Sequence, residues 1–112
     1  MKSFLRIEMM GNLGDKPVLK TIKVKEEERI VMNGKIAVNM GLDQPAAWFS
    51  FEIWGKRAET ASKYLDKGSK VLISDAEFLE PISWIDKDGN PRTELKIRIN
   101  EWYWLDSRKE EV

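Results

Sequence analysis

The sequence predicts an all-β fold, a five-stranded Greek-key barrel with one α-helix between its third and fourth strands. Two patterns predict it. Apolar residues recur at every second position in several short stretches, the period of a strand with one buried face, and only one stretch shifts to a helical period. Clusters of glycine, asparagine and aspartate separate these stretches and supply the turns. With 112 residues, the chain is long enough for one continuous core and too short for two.

From Ser3 to Met10, Leu5, Ile7 and Met9 alternate with Arg6 and Glu8, which makes a half-buried strand. Gly11, Asn12, Gly14 and Asp15 read as a turn, and Pro17 opens an extended stretch through Val24. The charge run Lys25 to Arg29 reads as a solvated hairpin loop. Beyond Asn33-Gly34, Ile36, Val38 and Met40 alternate with Lys35, Ala37 and Asn39, and Gly41 to Ala47 breaks that strand. Trp48 to Trp54 follows, with Phe49, Phe51 and Ile53 on one face and Trp48, Ser50, Glu52 and Trp54 on the other. Lys56 to Lys67 carries Ala58, Ala61 and Leu65 on one helical stripe, with Gly68 in the place of a C-terminal cap. Val71, Ile73, Ala76 and Phe78 form a strand whose phase slips near Asp75, as at a bulge. Asp86 to Asn90 is a hairpin signal before a last strand in which Leu95, Ile97 and Ile99 alternate with Glu94, Lys96 and Arg98. This order is that of an OB-fold barrel. Residues 1–107 are read as that domain and residues 108–112 as a short disordered end.

Composition narrows the chemistry. Cysteine and histidine are both absent, which removes thiol nucleophiles, disulfides, imidazole bases and the usual ligands of zinc. No phosphate-binding glycine loop is present, and Asp86, Asp88 and Asn90 fit a hairpin turn better than a calcium loop, since no glutamate closes the loop. The reading is a binding protein with no enzymatic activity, no cofactor and no metal. No apolar run is long enough to cross a bilayer, so a soluble cytoplasmic protein is expected. Basic and acidic residues balance at 19 each, so any polyanion-binding surface must come from local placement of charge.

Outward-facing aromatics mark the candidate site. The stretch ending in Trp54 already fills the core with its odd-numbered residues, so Trp48 and Trp54 fall on the polar face, about 20 Å apart along the strand. Two flat rings on one track suit a run of stacked bases. Cover for a barrel edge or a subunit interface is the competing reading. Trp84 precedes the Asp88-Gly89 turn and sits on the arm before the last strand, where OB-folds grip oligonucleotides; packing against the partner strand is its alternative. Trp102, Tyr103 and Trp104 are read as core or interface packing. Lys35, Arg92, Lys96 and Arg98 lie on polar faces or on the arm and are candidate phosphate contacts, with solubilising charge as the plain alternative.

Several segments carry a family resemblance: Met10-Gly11-Asn12-Leu13-Gly14-Asp15, Trp48 to Lys56, Ala58-Glu59, Tyr64 to Val71, and Trp84 with Asp86-Lys87-Asp88-Gly89. Together they resemble the bacterial single-stranded DNA-binding proteins, in consistent order from Met1 to about Asp106. The resemblance implies non-sequence-specific binding of single-stranded DNA in replication, recombination or repair, with stacking at Trp48, Trp54 and Trp84 and a backbone contact at Lys56. It also implies a homotetramer, a dimer being the other possibility. The Gly41 to Ala47 segment lacks an aromatic common in the family, and Leu79 to Ser83 lacks arginine. The sequence stops at Glu110-Glu111-Val112 without the acidic tip that recruits replication and repair proteins, so tail-mediated contacts are not expected of this chain. An OB-fold assembly module that mainly binds replication or primosome proteins is the alternative.

Overall fold

A computed structural model of the chain describes residues 3–105. The predicted C-terminal end at 108–112 and the domain boundary at 107 lie outside them. The elements are β1 (Ile7–Leu13), β2 (Val18–Val24), β3 (Glu27–Val38), β4 (Ala47–Trp54), α1 (Lys56–Tyr64), β5 (Lys70–Ile85) and β6 (Pro91–Trp104). The strands form one sheet in the order β1-β5-β6-β4-β3-β2, and β1 also pairs with β3. That extra pairing closes β1, β5, β6, β4 and β3 into a barrel and leaves β2 outside, along the free side of β3. The β4–β6 pairing is parallel and the others are antiparallel. This is the OB-fold connectivity, with the first strand interrupted.

The interruption corrects the expected count. Six strands are present, and the helix stands between the fourth and fifth. β2 becomes a strand of its own because Lys25 and Glu26, at φ 53° and 67°, make a two-residue turn that folds Glu27, Glu28 and Arg29 back onto it. Two successive left-handed residues match the right-handed twist of a hairpin, so the charge run is mostly strand and only its first two residues are loop.

Glycine misleads at two further places. Gly11 to Leu13 continue β1 where a turn is predicted, because β1 is held on both edges there: Gly11 and Asn12 lie opposite Val71 and Lys70 of β5, and Asn12 and Leu13 lie opposite Ala37 and Ile36 of β3. A side chain at Gly11 would strike the Ala37 carbonyl. Asn33-Gly34, predicted to precede a strand, lies inside β3. Leu5, Met40 and Leu95, expected on buried faces, are exposed. Leu5 and Met40 fall outside the strands, and Leu95 stands where β6 leaves the barrel for the arm.

The helix is also shorter than predicted. It ends at Tyr64, and Leu65 turns extended to bury its side chain among the core residues. Gly68, at φ 85°, shapes the following loop rather than capping the helix. Ala58 and Ala61 face inward, and their small size lets α1 lie close against the barrel. The slip near Asp75 is present as register shifts on both sides of that residue.

Met32, Ile36, Phe51, Ile53, Ile73 and Ile97 fill the barrel, and Trp102 packs against them in part, in line with its reading as packing. Gly34 lies directly opposite Phe51, and a Cβ there would stand 2.6 Å from Phe51 Cζ. The ring therefore occupies the volume that a side chain at position 34 would need. Phe51→Ala should cost about 3–5 kcal/mol of stability. Gly34→Ala should cost roughly 1–3 kcal/mol by overpacking. Denaturant titration of Gly34→Ala, Phe51→Leu and the double variant should show non-additivity, the shorter side chain at 51 recovering part of the alanine's cost; strict additivity would contradict this packing.

Candidate nucleic-acid interface

Period-two alternation in β4 sends Phe51 and Ile53 into the core and leaves Trp48, Ser50, Glu52 and Trp54 on the outer face. Pairing with β3 and β6 then arranges that face in rows. Ala37 lies beside Trp48, and Val31 beside Trp54. Between them, Lys35, Ser50 and Lys96 form one row across three strands, and Asn33, Glu52 and Arg98 form the next. The β5 neighbours of Lys96 and Arg98 are Leu79 and Glu77. Five of the eight expected site residues, Trp48, Trp54, Lys35, Lys96 and Arg98, are thus brought together on one face.

The two rings differ in their settings. Trp48 is 49% exposed and lies over the β1–β2 turn, where a Cβ on Gly14 would stand 2.6 Å from its Cζ3 atom. Trp54 is half-buried, and its indole N–H donates to the Glu52 carboxylate. Beside it opens a groove of about 400 Å³ lined by Val24, Arg29, Trp54 and Arg98. Lys56 begins α1 two residues beyond Trp54, and among the described residues it makes no ion pair.

The remaining pair stands apart. Trp84 lies on the arm opposite Arg92, 43% exposed. Arg92 Nε donates to Asp86 Oδ2 at 2.8 Å, and Asp86 also accepts from the backbone N–H groups of Asp88 and Asn90 at 2.9 Å each. The Asn90 and Arg92 hydrogen bonds lead in holding the Asp86 carboxyl below its ordinary pKa. The residues once compared with a calcium loop are a hairpin cap, and among the described residues no group of acidic side chains is placed to hold a metal.

The three cations on the strand rows are paired as well. Lys35 Nζ lies 3.4 Å from Glu94, Lys96 Nζ 3.4 Å from Glu52, and Arg98 reaches Glu52 at 3.2 Å and Glu77 at 3.5 Å. Glu52 is only 6% exposed. Burial is the largest influence on its carboxyl and raises the pKa, but hydrogen bonds from Trp54, Arg98 and Lys96 together outweigh it and hold the group below its ordinary value. It is therefore ionised at neutral pH. Sequence reasoning placed Glu52 on the right face and gave it no role. Its parity with both tryptophans was the available signal. Arg29 beside Trp54 and Gly14 beneath Trp48 were missed because only the folded chain brings them near.

Residues 4–105 match the model of the Single-strand binding protein family. Over 108 residues the chain is 36% identical to Single-stranded DNA-binding protein 1 of Synechocystis sp., covering 93% of this chain and 85% of that protein. Its identity to Single-stranded DNA-binding protein 1 of Clostridium acetobutylicum is 29% over 112 residues, 96% of this chain and 98% of the other. The protein of the same name from Xylella fastidiosa is 26% identical over 117 residues, 98% of this chain and 83% of that one. The family match takes in every strand of the barrel, the helix and the arm, so the chain belongs to the single-strand binding protein family.

Proposed function

We propose that the chain binds single-stranded DNA with little sequence preference and protects it in replication, recombination or repair, acting in the cytoplasm by binding rather than by catalysis. One observation carries this reading: two tryptophans stand at either end of a polar strand face whose opposite face supplies the core. Bases stack on Trp48 and Trp54 on the barrel and on Trp84 on the arm, since a π-face accepts any base. Phosphates meet Lys35, Lys56, Arg92, Lys96 and Arg98. The names of the relatives support the same reading. Among the described residues no helix is long and apolar enough to cross a membrane.

Assembly is the second part of the proposal. Tyr103, Trp104 and Leu105, at the end of β6 and just beyond, leave large apolar surface in water, with Trp104 5.8 Å from Tyr64 between ring centroids. Such surface is costly to expose and favours a partner copy, a homotetramer by family resemblance.

Trp48→Ala and Trp54→Ala should each weaken oligothymidine binding by about 1–3 kcal/mol, read by fluorescence titration, with thermal unfolding little changed. Gly14→Val, which displaces the Trp48 ring without removing it, should reproduce part of that loss. Wild-type affinity that survives all three would remove the stacking assignment. Equal-length duplex should bind far more weakly than the single strand at the same salt, because its bases are already stacked. Light scattering should report an oligomer, and a monomer over a broad concentration range would refute the assembly proposal.

A further inference from the structure

We propose that Glu52 is a built-in competitor for the nucleic-acid backbone: it occupies Lys96 and Arg98 midway between Trp48 and Trp54, so that the site selects its ligand by exposed bases rather than by charge. This inference rests on the binding face proposed above.

The placement carries the argument. Glu52 shares its face with both tryptophans, and its carboxylate contacts Lys96 through Oε1 and Arg98 through Oε2. A glutamate is rarely buried unless it is paired. Here the side chain is 8% exposed while its partners keep 29% and 42%, so the cations remain reachable from solvent and the carboxylate lies beneath them. With Glu77 on the far side of Arg98, the two cations and two carboxylates sum to zero charge. Lys35 is balanced by Glu94 in the same way. A phosphate arriving in the middle of the track meets no net positive field, and it draws on Lys96 or Arg98 only against the pull of Glu52 beneath them.

Two consequences follow from that competition. Because Glu52 already neutralises part of the local positive charge, a bound phosphate frees fewer ions overall than the number of nearby lysines and arginines implies. Duplexes and other polyanions that present charge without open bases gain almost nothing, whereas a single strand still gains its stacking energy. Glu52 also accepts the Trp54 indole N–H and so fixes that ring; it acts through Trp54, Lys96 and Arg98 as a positioning residue.

The test compares wild type with Glu52→Gln, which removes the charge and keeps an acceptor for the indole. Binding of a thirty-residue oligothymidine and of an equal-length duplex is measured over a salt series, beside thermal unfolding. The variant should bind oligothymidine roughly two- to fivefold more tightly at low salt, the size of one charge interaction at a partly exposed site. Its log-log salt slope should steepen by about 0.7 per phosphate newly engaged. Duplex binding should rise by a larger factor, so that discrimination falls. Unchanged or weaker binding with an unchanged slope, in a folded variant, overturns the proposal. Should that variant not fold, Lys96→Gln and Arg98→Gln take its place: each should flatten the wild-type slope by clearly less than about 0.7, and a full loss of that size overturns it equally. Trp48→Ala and Trp54→Ala run alongside. If both leave oligothymidine binding intact, the stacking reading falls and this inference with it; if they weaken binding while Glu52→Gln does not tighten it, the inference alone fails.

Discussion

A curved sheet of this size ends either in two free edges or in closure, and here closure depends on β1 pairing with a strand on each of its edges. It runs along β5 on one edge and, at Asn12 and Leu13, meets β3 on the other, and β3 comes this close because Gly11 has no side chain to meet the Ala37 carbonyl. With the circuit closed, inward residues of five strands share one interior, and Met32, Ile36, Phe51 and Ile97 can be wholly buried in a small chain. Leu65 and the alanines of α1 add to the same core. The candidate face inherits its order from this interior, since each inward residue of β4 fixes the direction of its neighbours.

Chemistry on the outer face follows from register. The parallel pairing of β4 with β6 sets Lys96 beside Ser50 and Arg98 beside Glu52, and the antiparallel pairing with β3 brings Lys35 into line. A balanced overall charge thereby becomes a local balance, cation against carboxylate, across the middle of the face. Stacking surface is left at the two ends, where Trp48 and Trp54 stand. The face is better suited to aromatic contact than to attracting a polyanion from a distance.

Local periodicity made much of this legible. The alternation from Trp48 to Trp54, the slip near Asp75 and the turn at Asp86 to Asn90 are each encoded within a few residues, and the structure has all three. Glycine was the main source of error. Its presence signals either a turn or a close approach, and Gly11 and Gly34 belong to the second kind, which depends on Ala37 and Phe51 far along the chain or on another strand. The helix end was misplaced because Leu65 fits the helical stripe equally well from an extended backbone. Within the candidate site the residues were found and their partners were not. The ion pairs of Lys35, Lys96 and Arg98 span sequence separations that no local pattern records.

The β5–β6 arm extends past the closed barrel, and from Glu80 to Ile85 it is exposed along its whole length. Its hydrogen bonds run between its own two strands, and its tip is tied by Asp86, so no core packing secures it. Such a segment opens at a lower free energy than the barrel and exchanges its amides sooner. Trp84 therefore rides on a compliant support while Trp48 and Trp54 are mounted on a rigid one. In the proposed binding mode, ordering the arm carries an entropic cost that the barrel rings do not bear, and in return one aromatic can follow a chain whose path varies from one encounter to the next.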